Sequence, residues 1–152
     1  MNKGNVFISG ASRGIGRDIA IHFANNGYKV VGTSRKNFDF DEDLNNLFPI
    51  KLDITNRDDI KDCFTELKSN DLLPSILINN AGITSDQIFL RMKDEEWDSV
   101  IETNLTGTFN LSKIFIKNMI KNKSGRIINI SSVSGLMGNP GQVNYSSSKA
   151  AL

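Results

Sequence analysis

The chain has 152 residues, with 18 Lys and Arg against 17 Asp and Glu and a formal net charge of +1. This length is enough for one continuous core, so we expect a single domain over residues 1–152. The near-neutral charge gives no large field that would attract nucleic acid or an anionic membrane. With one cysteine, Cys63, and one histidine, His22, we expect neither an internal disulfide, a metal centre nor a Ser/His/Asp triad.

The N-terminal segment gives an expectation about location. After a few mostly polar residues the chain enters a short apolar run, residues 6–8, that ends at Ser9-Gly10. A secretory signal needs about 7 to 15 apolar residues and a membrane span about 20, so this run is too short for either. We therefore expect a cytoplasmic protein.

Strand and helix patterns alternate along the first half of the chain. Residues 6–9 are typical of a strand, and apolar residues then recur at helical spacing from Ile15 to Ala24, before a stop at Asn26-Gly27. Residues 28–33 and 50–52 predict the second and third strands, and the stretch rich in Asp and Asn between them predicts a short helix or none. Residues 58–68 have helical period, and residues 76–78 are apolar, as in a strand covered on both faces.

The second half continues this alternation. Apolar residues recur at helical spacing from Asp94 to about Lys121, which predicts one continuous helix. Trp97 stands three residues after Asp94, where a capping box has Glu or Gln, so we expect no such cap. Residues 126–130 predict a fifth strand, and a last helix begins near residue 143. The pattern predicts a Rossmann-like, doubly wound parallel α/β sheet with strand order 3-2-1-4-5.

A glycine-rich loop directly follows the first predicted strand and opens the first helix. Its spacing is G-x-x-x-G-x-G, without the Lys-Ser or Lys-Thr pair of a nucleoside triphosphate loop. Glycines let the backbone approach a pyrophosphate, and a helix N-terminus presents unpaired N–H groups to the anion. The alternative is a glycine turn that only joins strand to helix. We predict a dinucleotide site formed by Gly10, Ala11, Ser12, Arg13, Gly14, Ile15 and Gly16.

Two arginines bear on the choice of cofactor. In dinucleotide folds an acidic residue after the second strand suits the ribose 2′-hydroxyl of NAD, whereas a basic residue suits the 2′-phosphate of NADP. This chain has Arg35 there and Arg13 in the glycine loop, so two guanidinium groups can flank the phosphate. We therefore predict NADP(H). The alternative is that both are solvated surface residues, for which Asp39, Asp41 and Asp43 compete.

Four polar residues form a candidate catalytic set. Tyr145 and Lys149 lie four positions apart at the start of the last helix, so an ammonium lies near a phenol that can act as a general acid. Ser132 ends the fifth strand, and its hydroxyl can hold a carbonyl oxygen. Asn104 lies inside the longest helix, an unfavourable place for Asn unless it has a task such as ordering water beside Lys149. Each residue also has an alternative interpretation when it is taken singly. Tyr145 can be a core tyrosine and Lys149 a surface charge. Ser132 can be a strand cap and Asn104 a helix irregularity.

Three motifs, in order, resemble the short-chain dehydrogenase/reductase family. The glycine loop matches that family's glycine motif, residues 79–82 (Asn-Asn-Ala-Gly) match its second motif, and Tyr145 with Lys149 supplies its Y-x-x-x-K. The resemblance implies a catalytic tetrad of Asn104, Ser132, Tyr145 and Lys149. It implies that the cofactor-binding residues include Asp53 and Ile54 near the adenine, Asn80, Ala81 and Gly82 along the cofactor, and Tyr145 and Lys149.

Within the family the chain is similar to the 3-oxoacyl-(acyl-carrier-protein) reductases. Residues 80–84, 91–97 and 137–145 carry this similarity. It implies reduction of a carrier-bound β-keto thioester by NADPH in fatty acid biosynthesis. The pro-S hydride would pass to the C3 ketone while Tyr145 donates the proton, Lys149 binds the ribose and Ser132 holds the oxygen.

The similarity also implies partners. Members of this group are commonly homotetramers, and their substrate is attached to an acidic acyl carrier protein. Four basic residues offer a surface for such a carrier, or equally a solvated helix face. These residues are Lys117, Lys121, Lys123 and Arg126.

The chain departs from the group in two ways. The interval between Arg35 and Asp53 is shorter than usual, so a second helix is doubtful there. Group members continue for roughly another hundred residues, so we expect an N-terminal portion that is poorly folded or inactive alone. Two other functions stay open: a reductase for another ketone or a 3-hydroxyacyl-CoA, and a non-catalytic NADP-binding protein.

Overall fold

The sheet contains five strands that pair in parallel. The computed structural model describes residues 3–40 and 44–152, so Asp41 and Asp43, two predicted competitors for the arginines, lie outside the described residues. The strand order is β3-β2-β1-β4-β5, which confirms the predicted fold class and topology. β3 begins earlier than predicted. The strands are β1 (Asn5–Ser9), β2 (Lys29–Ser34), β3 (Leu47–Lys51), β4 (Ile76–Asn79) and β5 (Arg126–Asn129).

The described residues contain six α-helices. They are α1 (Gly14–Asn25), α2 (Arg57–Ser69), α3 (Asp94–Ile101), α4 (Gly107–Lys121), α5 (Ser134–Met137) and α6 (Val143–Ala151). The sequence predicted no element at α5 or at a 3₁₀ turn, Phe89–Arg91. No helix in the two described ranges is long and apolar enough to cross a membrane.

The core lies in two layers, one on each face of the sheet. On one face Val6 and Ile8 of β1 pack in a cluster with Ala20 of α1. On the other face Phe7 packs among side chains of α2 and α4, and its ring centroid is 4.9 Å from that of Phe115. Side chains alternate between the two faces of a strand, so β1 contributes to both layers. This double burial fixes the carboxyl end of β1, where the glycine loop begins.

The long helix predicted between Asp94 and Lys121 is present and contains a π-helical turn. This turn, Glu102–Thr106, lies between α3 and α4 and contains Asn104. Residues 94–121 are helical throughout, as predicted, but the apolar period does not reveal the local change in hydrogen bonding. π-helical turns are rare and are frequent at functional sites.

The start of α3 also corrects the prediction. Lys93 is the N-cap, and its N–H donates to Oε2 of Glu96 at 2.8 Å. The expectation that this start lacks a capping carboxylate is therefore wrong. That expectation took Asp94 as the N-cap and Trp97 as the residue three positions later. Both positions are one residue too late in the chain, because the N-cap is Lys93 and the third residue after it is Glu96.

The connection between β2 and β3 contains no helix in residues 35–40 and 44–46, as the short interval predicted. Phe40 from this connection is 2% exposed and belongs to the core cluster on the α1 face. A single buried ring thus fixes the connection to the sheet.

Candidate active site

The glycine loop forms a tight turn between β1 and α1. Gly10 has φ +71° and Gly14 has φ +55°, conformations that favour glycine. Gly16 is required for space, because a Cβ there would lie 2.2 Å from the carbonyl oxygen of Gly10. The first turn of α1 therefore lies close against the end of β1 and presents its free N–H groups at the carboxyl edge of the sheet.

A cleft of about 1110 Å³ extends over the carboxyl ends of β1, β2, β3 and β4. Ten predicted cofactor residues line it: Gly10, Ser12, Arg13, Ile15, Gly16, Arg35, Ile54, Asn80, Ala81 and Gly82. Eight lining residues were missed, although most follow a predicted strand, which was the available signal. They are Thr33, Ser34, Lys36, Asn37, Phe38, Leu52, Ile83 and Thr103.

Five predicted cofactor residues are not among those that line the cleft: Ala11, Gly14, Asp53, Tyr145 and Lys149. Of these, Tyr145 and Lys149 belong to α6. Ala11 is fully buried, and its N–H donates to the carbonyl oxygen of Thr33 at 2.8 Å. Gly14 is the first residue of α1. Oδ1 of Asp53 accepts hydrogen bonds from the N–H of Thr55 at 2.9 Å and from its hydroxyl at 2.7 Å. Ala11, Gly14 and Asp53 thus shape the loops around the cleft.

The residues present fit a nicotinamide dinucleotide. A Cβ built on Gly14 would meet no heavy atom within 4 Å, so the loop leaves room beside the helix N-terminus. Arg13, Arg35 and Lys36 line the same cleft and supply cations for phosphate groups. The described residues contain no group of three or more His, Cys, Asp or Glu that could hold a metal ion.

Asn80 joins the loop after β4 to the loop after β1. Its Nδ2 donates to the carbonyl oxygens of Ser9 at 3.0 Å and Gly10 at 2.9 Å. In return, Oγ of Ser9 accepts from the backbone N–H groups of Asn80 at 3.1 Å and Ala81 at 3.0 Å. Four hydrogen bonds therefore fix the separation of the two strand ends that form the centre of the cleft.

Lys149 is buried beside the end of β5. It is 5% exposed, and its Nζ donates to the carbonyl oxygen of Ile130 at 2.7 Å. The same Nζ lies 5.8 Å from the centroid of the Tyr145 ring and would lie 3.5 Å from a Cβ on Gly82. Burial lowers the pKa of the Lys149 ammonium from its usual value. The structure thus brings this lysine together with Tyr145 and the cleft residue Gly82.

Ser132 and Tyr145 contribute hydroxyl groups to this region. Ser132 does not end β5, as predicted, but lies in the turn between β5, which stops at Asn129, and α5. Its Oγ accepts a hydrogen bond from the N–H of Ser134 at 3.2 Å, which leaves its proton available to another acceptor. Within the described residues the half-buried Tyr145 makes no hydrogen bond through its hydroxyl.

The side chain of Asn104 makes three hydrogen bonds, two to Ile83 and one to α6. Its Oδ1 accepts from the N–H of Ile83 at 2.8 Å, and its Nδ2 donates to the carbonyl oxygen of Ile83 at 3.0 Å and to Oγ of Ser148 at 3.0 Å. Both amide protons are therefore committed to protein acceptors. Asn104 thus attaches the segment after Gly82 to α6, and its catalytic role stays a prediction.

Asn144 is a functional candidate that sequence reasoning missed. It is fully buried; its Nδ2 donates to the carbonyl oxygens of Ser85 at 3.0 Å and Glu96 at 3.1 Å, and its Oδ1 accepts from the N–H of Tyr145 at 2.8 Å. The start of α6 is thereby fixed to α3 and to the segment after β4. An Asn directly before the candidate acid was the available signal.

Comparisons with known proteins identify a family and relatives of this chain. Residues 4–152 match the family described as short chain dehydrogenase. The 3-oxoacyl-(acyl-carrier-protein) reductase of Staphylococcus epidermidis is 41% identical over 160 aligned residues, covering 100% of this chain and 65% of that protein. The reductase of the same name from Vibrio cholerae is 44% identical over 149 residues, covering 95% of this chain and 61% of that protein.

A solved structure is also similar. It is described as 4-hydroxyisoleucine dehydrogenase complexed with NADH, and it superposes with a TM-score of 0.87 at 36% identity. The match covers 96% of this chain and 63% of that one. The chain therefore spans just under two-thirds of the length of these relatives.

Replacing Asn144 with Leu tests how the start of α6 is held. The variant leaves two buried carbonyl groups and one N–H without their partner, and each such loss costs about 1 to 3 kcal/mol. We expect the free energy of unfolding, measured with urea, to fall by about 3 kcal/mol. Asn144→Asp keeps the acceptor for Tyr145 but loses both donors, so it should not restore stability. Asn118→Leu on α4 is the control, and equal losses in both Leu variants would contradict this role.

The buried ammonium of Lys149 predicts a pH dependence of stability. Because burial lowers its pKa from 10.5, the folded protein binds fewer protons there than the unfolded chain just below that pH. This group therefore makes the free energy of unfolding rise with pH in that window. The free energy of unfolding of the wild type minus that of Lys149→Met should increase from about pH 8 to about pH 10. The exposed Lys117→Met is the control; a difference that stays flat for Lys149→Met contradicts the prediction.

Proposed function

The chain belongs to the short-chain dehydrogenase family of oxidoreductases, and we propose from this that it reduces a 3-oxoacyl thioester on an acyl carrier protein with NADPH. One observation carries the proposal: Lys149 lies beside both Tyr145 and Gly82, and Gly82 lines the cleft. A proton donor and a buried cation thus lie beside a residue of the cleft. In this proposal residues 1–152 form one NADP(H)-binding domain.

Tyr145 and Ser132 have separate roles in the proposed reaction. Bound NADPH would supply the hydride for the ketone carbon. The Tyr145 hydroxyl donates the proton to the ketone oxygen as negative charge develops on it. Ser132 donates a second hydrogen bond to that oxygen, because its Oγ already accepts from Ser134 and its own proton is free.

Lys149 has two tasks in this proposal. Its ammonium stabilises negative charge on the Tyr145 oxygen after the proton has left. It also lies next to Gly82 in the cleft, which suits a hydrogen bond to the cofactor's ribose. The hydrogen bond to the carbonyl oxygen of Ile130 keeps Nζ in place for both tasks.

The preference for NADP(H) rests on local charge. Arg13 and Arg35 both line the cleft, and neither guanidinium is in an ion pair within the described residues. A 2′-phosphate would supply the missing anion, whereas the ribose hydroxyl of NAD would not. The solved relative was complexed with NADH, so the fold alone does not decide between the two cofactors.

The carrier-bound substrate is inferred from the curated relatives, which are 3-oxoacyl-(acyl-carrier-protein) reductases. The basic residues Lys121, Lys123 and Arg126 surround the junction of α4 and β5. This junction is at the amino ends of the strands, opposite the edge that carries the cleft. A carrier bound there would therefore not dock beside Tyr145 of the same chain.

An exposed apolar face supports the proposed homotetramer. Phe109, Ile116 and Ile120 are 52%, 41% and 69% exposed and share one side of α4. Exposed apolar patches of this kind mark protein contacts. We propose that a second copy of the chain covers this face.

Tyr145→Phe tests the proposed acid. The ring beside Lys149 remains but the proton donor is lost, and general acid catalysis contributes roughly 10²- to 10⁴-fold. We expect kcat for NADPH oxidation with an acetoacetyl thioester, followed by absorbance, to fall about a thousandfold. The control is Tyr28→Phe, whose ring packs edge-on against Phe23 with centroids 5.1 Å apart. Unchanged kcat in Tyr145→Phe contradicts the mechanism, and turnover of another ketone but not of the thioester contradicts the substrate.

Arg35→Ala tests the cofactor preference. The variant loses a charged hydrogen-bond donor for the 2′-phosphate, and such bonds are worth about 1.5 to 3 kcal/mol. We expect KM for NADPH to rise at least about tenfold while KM for NADH changes little. Arg91→Ala, outside the cleft lining, is the control. Equal effects on both cofactors would exclude Arg35 from phosphate recognition.

A further inference from the structure

An aromatic ring lines the part of the cleft that follows β2. Phe38 is half-buried and lines the cleft together with Arg35, Lys36 and Asn37. Dinucleotide folds place the adenosine ribose at the end of the second strand. Phe38 is therefore at the adenosine end of the cleft, and no role in the proposed chemistry explains it.

Phe38 is held in place by a second ring. Its centroid is 5.2 Å from that of Phe40, with 70° between the ring planes. Phe40 is 2% exposed and packs so closely on β2 that a Cβ on Gly32 would lie 2.5 Å from its Cζ. An edge-to-face pair of this kind is favourable and fixes the plane of the outer ring.

Hydrogen bonds fix the backbone between the two rings. Oδ1 of Asp39 accepts from the N–H of Phe40 at 2.7 Å, and Nη1 of Arg17 on α1 donates to the carbonyl oxygen of Asp39 at 3.4 Å. The connection is thus attached to both the sheet and α1 without a helix of its own. Phe38 is consequently a pre-positioned surface, which lowers the cost of ordering a ligand against it.

We propose that Phe38 is the platform on which the adenine ring of the bound dinucleotide stacks. The inference rests on the cofactor binding proposed above and adds the residue that recognises the base. Every base has a flat π-face, and stacking on an aromatic side chain is worth enough to change affinity about tenfold. Leu52 and Ile54, which follow β3, supply apolar side chains to the lining of the same cleft.

Loss of stacking and loss of phosphate recognition have different effects on the affinities for NADH and NADPH. Adenine is the same in NADH and NADPH, so loss of the platform weakens both cofactors by one factor. Loss of Arg35 weakens only the ligands that carry the 2′-phosphate. Phe38 thus contributes to affinity and not to the choice between the two cofactors.

The test is a set of Phe38 variants and a binding measurement without substrate. Calorimetry measures Kd for NADPH, NADH and adenosine 2′,5′-bisphosphate, which contains only the adenosine end. We expect Phe38→Ala to raise all three Kd values by roughly tenfold. Phe38→Trp and Phe38→Tyr, which keep a π-face, should bind within about twofold of wild type, while Phe38→Leu, which keeps bulk alone, should bind like Phe38→Ala.

The binding results either support or exclude the proposal that Phe38 is the adenine platform. If Phe38→Leu binds as well as Phe38→Tyr, the residue acts by packing on Phe40, and the platform is excluded. If Phe38→Ala binds all three ligands like wild type, the platform is again excluded, but the reductase proposal stands. If wild-type protein binds none of the three ligands, both proposals fail. Thermal unfolding of each variant shows whether a loss of binding reflects a loss of folded protein.

Discussion

The segment that follows β4 holds the two halves of the site together through side-chain hydrogen bonds to backbone groups. At its start, Asn80 binds the carbonyl oxygens of Ser9 and Gly10, which belong to the phosphate-binding side. At Ile83, Asn104 binds both backbone groups and also Ser148 of α6, which belongs to the catalytic side. Gly82, between these two attachments, lies beside Lys149. This one segment therefore attaches the glycine loop to α6.

Asparagine suits this task because its amide can donate and accept at the same time. The groups that it pairs are buried backbone carbonyls and N–H groups, which are costly to leave without a partner. Asn104 gains access to Ile83 from inside the π-helical turn, and Asn144 continues the attachment to Ser85. Further along, Nε2 of Gln142 donates to Oδ2 of Asp86 at 2.9 Å. Polar pairs thus connect this segment to α6 and to Gln142, the residue before it.

The parts of the molecule that depend on local pattern could be predicted from the sequence. The pattern of apolar residues predicted all five strands, and the alternation of strands and helices predicted their order. The spacing of the glycines located the loop that lines the cleft. The π-helical turn was not predictable because it leaves the apolar period unchanged. The contacts of Asn104 and Asn144 were not predictable either, since their partners are backbone groups 21 and 59 residues away. Phe38 was missed for the same reason: its place in the cleft depends on where Phe40 is buried.

We propose that hydride passes from NADPH in this cleft to the ketone carbon of a 3-oxoacyl thioester. The most direct measurement uses NADPH labelled with deuterium at the pro-S position of C4, an acetoacetyl thioester and the complete purified protein, with mass spectrometry of the product. We expect a 3-hydroxybutyryl thioester that carries one deuterium on C3. A hydroxy product without deuterium would contradict hydride transfer from that face, and recovery of the thioester unchanged beside intact NADPH would contradict the assigned reaction.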